Sequence, residues 1–352
     1  MSDLLIKMLA ERDYLMADGA IGTNLFAMGL EAGDSPEIWN ADKPEKIRAL
    51  HDSFVEAGAD LLTTNTFGAN SYRLKLHNAQ DRAHELNYEG VRIARAAADA
   101  VDRPVAVAAS MGPTGEIFEP VGTVSIEEGE AAFREQAIAQ AEAGADVHWI
   151  ETISGREELT AAIRGASVTG LPVVSTMTFD TVGRTMMGLT PEDGVALKDS
   201  LSDELVAAGK ASVLAFGANC GVGPGQLVDS VLSISQGGTD SQIIVAKGNC
   251  GIPEYQDGAI VYSGTPEIMA DYARMARDAG ARIIGGCCGT TATHVKAMVD
   301  ALNGYTPGDK PSKEAIEAAL GPIAPPPPTE GLGGREGRRR RRASEIRSAV
   351  PV

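Results

Sequence analysis

One short pattern recurs in this chain wherever a helical pattern gives way to an apolar run. It reads Ala57-Gly58-Ala59-Asp60, Ala143-Gly144-Ala145-Asp146 and Ala279-Gly280-Ala281-Arg282, and 207–213 is a looser copy. Glycine is common just after a helix because it adopts a left-handed backbone conformation without a steric penalty. A helix that ends in this way and leads directly into a buried strand is typical of a repeated βα unit. The pattern therefore predicts a parallel sheet covered by helices.

The apolar runs supply the strands of this predicted sheet. Eight candidates occur, at 15–17, 61–64, 105–108, 147–150, 173–176, 213–216, 243–246 and 282–284. Helical patterns separate them, for example at 43–57, 79–101, 126–143, 155–168, 265–279 and 293–302. Eight strands alternating with helices predict an α/β fold, a single (β/α)8 barrel of the TIM type. A doubly wound open sheet is the alternative, but no Gly-x-Gly-x-x-Gly motif follows the first strand.

Composition divides the chain into a barrel domain at 1–306 and a tail at 307–352. The tail is rich in proline, glycine and arginine, which cannot bury a core, so we expect it to be disordered. The formal net charge is −17, and 329–352 are net basic, so the barrel is more acidic than the total. An acidic body argues against nucleic acid as a partner. Assembly into a homo-oligomer is compatible with this composition.

No stretch approaches the roughly 18 apolar residues that a membrane span needs. The first 13 residues also lack the apolar block and cleavage site of a signal peptide. The chain has only four cysteines, and we expect it in the cytoplasm. In that reducing compartment, clustered cysteines favour a metal ion over a disulfide.

Two adjacent cysteines, Cys287 and Cys288, lie in a glycine-rich segment just after the last predicted strand. Neighbouring cysteines make an awkward disulfide, and successive strand side chains point to opposite faces. A third cysteine, Cys220, follows the sixth predicted strand. Three thiolates at the ends of two strands predict an open zinc site whose fourth position is left for a substrate. A closed structural site is the alternative, and Cys250 could complete it.

Zinc held by three thiolates is a weak Lewis acid that suits a bound thiol better than a bound water. The predicted reaction is therefore alkyl transfer to a thiol substrate. Asp18 and Glu151, at the ends of the first and fourth strands, would hold an ammonium group. The Gly19 backbone and the hydroxyls of Thr23 and Thr66 would hold a carboxylate. An amino-acid thiol is the acceptor that this set of groups predicts.

Several motifs, in this order, resemble the homocysteine S-methyltransferase family over about residues 10–303. They are Asp-Gly-Ala-Ile-Gly-Thr at 18–23, Asn-Thr-Phe-Gly-Ala at 65–69, Glu151-Thr152, Gly-Ala-Asn-Cys at 217–220 and Gly-Gly-Cys-Cys-Gly-Thr at 285–290. The resemblance implies zinc on the three cysteines and homocysteine recognition by Asp18, Glu151 and nearby backbone. It also implies that Asn249 lines the site.

The sequence departs from the family pattern in two places. The usual Lys-Pro-Asn-Ala-Gly reads Lys-Gly-Asn-Cys-Gly at 247–251, so Cys250 either approaches the zinc or packs in the core. Thr152 and Gly68 stand where vertebrate-type betaine enzymes place aromatic residues, which resembles the methionine synthase module instead.

The methyl donor is expected to be small, and betaine leads. A methylfolate or corrinoid donor, S-methylmethionine and dimethylsulfonium compounds are the alternatives. A quaternary ammonium donor needs an aromatic face, for which Trp39, Phe67, Phe118 and Tyr255 are candidates. A non-enzymatic alternative is a zinc-binding or thiol-binding partner of a corrinoid protein.

Overall fold

The computed structural model describes residues 3–239, 241–256 and 259–323, without the side chains of 255, 256, 259 and 260. The strands of its main sheet are β1 (Leu15–Met16), β2 (Leu61–Thr63), β3 (Ala106–Met111), β4 (Val147–Ile153), β5 (Val173–Met177), β6 (Ala215–Cys220), β7 (Ile243–Gly248) and β10 (Ala281–Gly286). These eight strands are parallel and lie in the order β1-β10-β7-β6-β5-β4-β3-β2.

Backbone hydrogen bonds join the first and last strands of this order and close the barrel. The amide of Asp18 donates to the Leu61 carbonyl at 3.0 Å, and the amide of Asp60 donates to the Met16 carbonyl at 2.7 Å. The predicted (β/α)8 barrel is confirmed, and each of the eight predicted apolar runs overlaps one of its strands.

Helices surround the barrel, and the recurring glycines end three of the predicted helix–strand junctions. Gly58, Gly144 and Gly280 have φ values of 100°, 93° and 106°, which only glycine adopts readily. The helices are α1 (Leu4–Glu11), α2 (Gly22–Ala27), α3 (Trp39–Asp42), α4 (Pro44–Ala57), α5 (Ser71–Lys75), α6 (Ala83–Ala98), α7 (Ile126–Glu142), α8 (Arg156–Ala166), α9 (Pro191–Ala207), α10 (Pro224–Gly237), α11 (Pro266–Asp278), α12 (Ala292–Leu302) and α13 (Lys313–Leu320). Short 3₁₀ turns lie at Pro36–Ile38, Gln80–Arg82 and Ser167–Thr169.

The barrel interior is filled at the amino-terminal ends of the strands. Inward side chains such as Ala106, Val147 and Trp149 form one buried cluster with Leu5 and Met8 of α1. Because α1 is apolar on one face and precedes β1, it closes this end of the barrel. The other end, where the strands run into their following loops, is left for chemistry.

Order continues past the predicted barrel boundary at 306. Helix α13 buries Ile316 and Leu320, and a Cβ placed on Gly225 of α10 would lie 2.9 Å from the Gly321 carbonyl. The expected disorder of the tail is therefore wrong for residues 307–323, because this segment carries an apolar stripe that packs on the barrel. The rest of the predicted tail, 324–352, lies outside the described residues.

A hairpin that the sequence analysis did not predict follows β7. It pairs β8 (Pro253–Gln256) with β9 (Ala259–Tyr262) in antiparallel register. The side chain of Tyr262 packs so closely on Gly289 that a Cβ there would lie 2.4 Å from its ring. The hairpin thus covers the loop that carries the paired cysteines. No helix in the described part of the chain combines the length and apolarity needed to cross a membrane.

Candidate active site

Three cysteines meet at the carboxyl-terminal end of the barrel. The Sγ atom of Cys220, at the end of β6, lies 3.2 Å from that of Cys287 and 3.8 Å from that of Cys288. All three sulfur atoms lie within 4.8 Å of one another. Tetrahedral zinc with Zn–S bonds near 2.3 Å separates its sulfur ligands by roughly 3.8 Å. The group therefore fits a metal ion with thiolate ligands.

The fourth cysteine stays apart from this group. Cys250 is buried, and its thiol donates to the Gly264 carbonyl at 3.3 Å. Burial raises the pKa of the Cys250 thiol to about 11. Of the two alternatives for this residue, packing is the one that the described geometry supports.

The three clustered thiols share their protons unequally. Hydrogen bonds from Cys220 and Cys287 lower the pKa of Cys288. Hydrogen bonds to Cys287 and Cys288 raise the pKa of Cys220. The other two thiols therefore stabilise a thiolate at Cys288.

Two asparagines hold the cysteine loops in place. Asn249 accepts a hydrogen bond from the Cys288 amide at 3.0 Å and donates one to the Gly221 carbonyl at 2.6 Å. It ties the two loops together from behind and does not line the cavity in front of them. Its place differs from the expected one because both ends of its side chain are already bonded to backbone.

Asn219 joins β6 to β4 across the top of the barrel. Its Oδ1 accepts from the Thr152 amide at 2.8 Å, and its Nδ2 donates to the Thr152 hydroxyl at 2.7 Å. Thr152 and Cys220 have φ values of 65° and 61°, which residues other than glycine rarely adopt. Such strain persists only where surrounding contacts impose it, and the two hydrogen bonds from Asn219 are such contacts for Thr152. The place of Asn219 next to Cys220 in the sequence did not predict this role.

A cavity of about 310 Å³ opens in front of the cysteines. Of the predicted site residues, six line it: Gly19, Thr23, Glu151, Cys220, Cys287 and Cys288. Three others do not: Asp18, Thr66 and Asn249. Lining residues that the sequence analysis did not select for the site include Glu37, Ser110, Thr152 and Lys247.

Asp18 lies beneath the cavity floor in a buried ion pair. Its Oδ1 lies 3.0 Å from the Lys247 Nζ, and its Oδ2 accepts from the Thr63 amide at 2.7 Å. Asp18 is fully buried, and 3% of the Lys247 side chain is exposed. Asp18 was expected to contact the substrate directly. It pairs with Lys247 instead, because a buried carboxylate needs a cation. Of the two, Lys247 is the residue that lines the cavity.

Glu151 faces the cavity with one oxygen accepting a hydrogen bond from the Ser110 hydroxyl. Burial raises its pKa to about 7, although Lys247 acts in the opposite direction. Burial would lower the pKa of Lys247, but Asp18 and Glu151 outweigh it and the pKa of Lys247 is raised. Glu151 is therefore a carboxylate whose charge a substrate cation would stabilise.

The remaining predicted residues build the cavity wall from backbone and hydroxyl groups. The Thr23 hydroxyl accepts from the Gly289 amide at 3.1 Å. A Cβ on Gly19 would lie 2.6 Å from the Thr290 carbonyl oxygen, so glycine is required there. Thr66 is buried, and its hydroxyl donates to the Ser110 carbonyl at 2.7 Å, which leaves it behind the wall.

The aromatic candidates separate clearly. Phe67 lines the cavity, together with Phe26. Trp39 is buried, and its ring is already covered by the ammonium groups of Lys43 and Lys46 at 4.2 and 4.7 Å. Phe118 lines a neighbouring groove of about 420 Å³. The side chain of Tyr255 lies outside the described residues.

Known proteins resemble this chain in sequence or in fold. A model of the family described as homocysteine S-methyltransferase matches residues 15–302. The methionine synthase of Mycobacterium tuberculosis is 30% identical over 315 residues, which cover 85% of this chain and 25% of that protein. The methionine synthase of Mycobacterium leprae is 29% identical over 327 residues, which cover 88% and 26%. The chain thus spans about a quarter of the length of these relatives.

Among solved structures, the homocysteine methyltransferase MmuM of Escherichia coli is similar in its metallated form, with a TM-score of 0.68 and 26% identity. The match covers 84% of this chain and 98% of MmuM. The match to the family model extends over most of the sequence, which identifies the family. This chain belongs to the homocysteine S-methyltransferase family.

Proposed function

We propose that this protein is a zinc-dependent enzyme that transfers a methyl group to the thiol of homocysteine and forms methionine. The observation that carries the proposal is that the three clustered thiols line one cavity together with Glu151. Cys220, Cys287 and Cys288 would hold the zinc. When bound by three thiolates, zinc lowers the pKa of a substrate thiol and leaves the sulfur nucleophilic.

The protein's own groups would orient the amino acid. Glu151 would bind the ammonium group of homocysteine, because that contact neutralises a carboxylate that is costly to ionise. Lys247 and the backbone beside Gly19 would bind the carboxylate, with Thr23 closing that side of the cavity. We propose that Asp18 acts through Lys247, which it holds at 3.0 Å.

We propose a small methyl donor with a positively charged nitrogen or sulfur, and betaine leads. Phe67 and Phe26 offer aromatic surface in the cavity for such a cation. S-methylmethionine and dimethylsulfonium compounds have the same chemistry. A methylfolate or corrinoid donor is the second candidate, favoured by the similarity to methionine synthases.

We also propose that the protein is located in the cytoplasm, since the four cysteines are free.

The test is methionine formation by purified, zinc-loaded protein from homocysteine with each donor supplied singly. Turnover with betaine alone would support the reaction, the donor and the independence from a partner. Turnover only with methylfolate or a methylated corrinoid protein would keep homocysteine as acceptor and replace the donor. No turnover with any donor, despite bound zinc, would refute the proposal and favour a thiol-binding partner of a corrinoid protein.

A further inference from the structure

We propose that Glu37 recognises the positive charge of the methyl donor. This inference rests on the proposed function and identifies the donor class, an onium cation with methylated nitrogen or sulfur. Glu37 lies in the 3₁₀ turn Pro36–Ile38, in the loop after β1, and lines the same cavity as the three cysteines. Its position was not predicted from the sequence.

Glu37 is held rigidly by neutral groups. Its Oε1 accepts from the Gly68 amide at 2.6 Å, and its Oε2 accepts from the Ser35 hydroxyl at 2.6 Å. A Cβ on Gly68 would lie 2.8 Å from Oε1, so the β2 loop is closed tightly around the carboxylate. With 5% of the residue exposed, Glu37 has little freedom to turn away from the cavity.

No ion pair joins Glu37 to a cation in the part of the chain that the structure describes. A buried carboxylate without such a partner is costly, and a bound cation would remove that cost. The same cavity offers Phe67 and Phe26, whose rings suit a methylated cation. Carboxylate and aromatic faces together are the groups that an onium ion needs.

The charges of the cavity point to the same class of donor. Lys247 is the cation among its lining residues, and it is already paired with Asp18. Glu151 would be neutralised by the homocysteine ammonium, which leaves Glu37 for the second substrate. An anionic donor such as methylfolate would add negative charge beside this carboxylate, which is unfavourable at low dielectric.

The reaction balances without a further reagent. The homocysteine thiol releases its proton to solvent when it becomes a thiolate. The thiolate sulfur then forms a bond to the methyl carbon while the bond from that carbon to the donor nitrogen or sulfur breaks. The bonding pair stays on the donor atom, which leaves as a neutral amine or sulfide. Glu37 would bind the positively charged donor atom before transfer and would lose this attraction when that nitrogen or sulfur becomes uncharged.

The experiment compares Glu37→Gln with a matched control, Glu158→Gln, in the zinc-loaded full chain. Glu158 is also buried, and it accepts from the Thr114 amide and hydroxyl at 2.8 and 2.7 Å, but it lines the neighbouring groove. For Glu37→Gln we expect kcat/KM for the onium donor to fall by roughly 30-fold or more, with the KM for homocysteine unchanged. The control should leave both values unchanged.

A binding measurement keeps the test valid if Glu37→Gln does not fold. Choline and 3,3-dimethylbutan-1-ol have the same shape, but only choline is charged. The unmodified enzyme should bind choline at least tenfold more tightly, and Glu37→Asp should retain part of this preference. Equal binding of the two compounds, or a Glu37→Gln variant with an unchanged donor KM, would overturn the proposal. If the unmodified enzyme turned over with methylfolate alone, the role of Glu37 would be overturned and homocysteine methylation would stand. If the unmodified enzyme turned over with no donor, the proposed function would be refuted as well.

Discussion

Replacing Glu151 with glutamine should make the folded protein more stable at alkaline pH. The pKa of Glu151 is about 7 in the folded protein, against an ordinary value of 4.5, because burial penalises its charge. The folded chain therefore binds this proton more tightly than the unfolded chain does. Its favourable contribution is complete below pH 4.5 and is lost as the pH rises through 7. Glutamine keeps an acceptor for the Ser110 hydroxyl but has no charge to bury.

The size of the effect follows from the shift at 1.36 kcal/mol per pKa unit. Ionising Glu151 in the folded protein costs about 3 kcal/mol at pH 8.5 and less than about 1 kcal/mol at pH 5. The free energy of unfolding of Glu151→Gln, relative to the unmodified protein, should thus rise by about 2–3 kcal/mol between these two pH values. Urea denaturation of both zinc-loaded proteins at each pH measures this difference, and contributions common to the two proteins cancel.

The control is Glu135→Gln, on the exposed face of α7, which tests the substitution itself. The reasoning would be refuted if the stability difference between Glu151→Gln and the unmodified protein were the same at pH 5 and pH 8.5. Homocysteine adds a second check. Because its ammonium group is proposed to neutralise Glu151, the glutamine variant should bind homocysteine more weakly at pH 8.5 while it is the more stable protein.

Three further predictions concern the metal, the ion pair and the cavity wall. Cys287→Ala should lose bound zinc and activity together while the circular dichroism of the barrel is retained; a metal-free variant with full activity would contradict the zinc assignment. Lys247→Met should lower the free energy of unfolding by about 3–5 kcal/mol, because it leaves the buried Asp18 carboxylate without its cation; a loss below 1 kcal/mol in urea denaturation would show that Asp18 does not depend on the pair. Gly19→Ala should lower the melting temperature and methionine formation, since its Cβ would approach the Thr290 carbonyl to 2.6 Å at a cost of about 1–3 kcal/mol; unchanged values for both would mean that the loop shifts freely.

Local patterns were enough to predict the barrel and the placement of its chemistry. The apolar runs, and glycines such as Gly58 and Gly144, depend on short stretches of chain, where backbone conformation and burial are set by nearby residues. Parallel strands all end on the same side of a barrel, so residues at the ends of β6 and β10 lie at the same mouth. The association of Cys220 with the pair at Cys287 followed from that rule and from the donor chemistry of thiolates.

Only the tertiary structure decided how the side chains are shared among the loops. Asp18 and Lys247 are 229 positions apart, and their pairing removed Asp18 from the cavity wall. Asn219 likewise reaches Thr152 from 67 positions away. Such contacts depend on strand register, side-chain direction and the burial of charge, none of which is encoded in a short pattern. For the same reason the sequence showed Glu37 as an ordinary acidic residue, and only the folded chain shows it as a buried carboxylate that lines the same cavity as the three thiols.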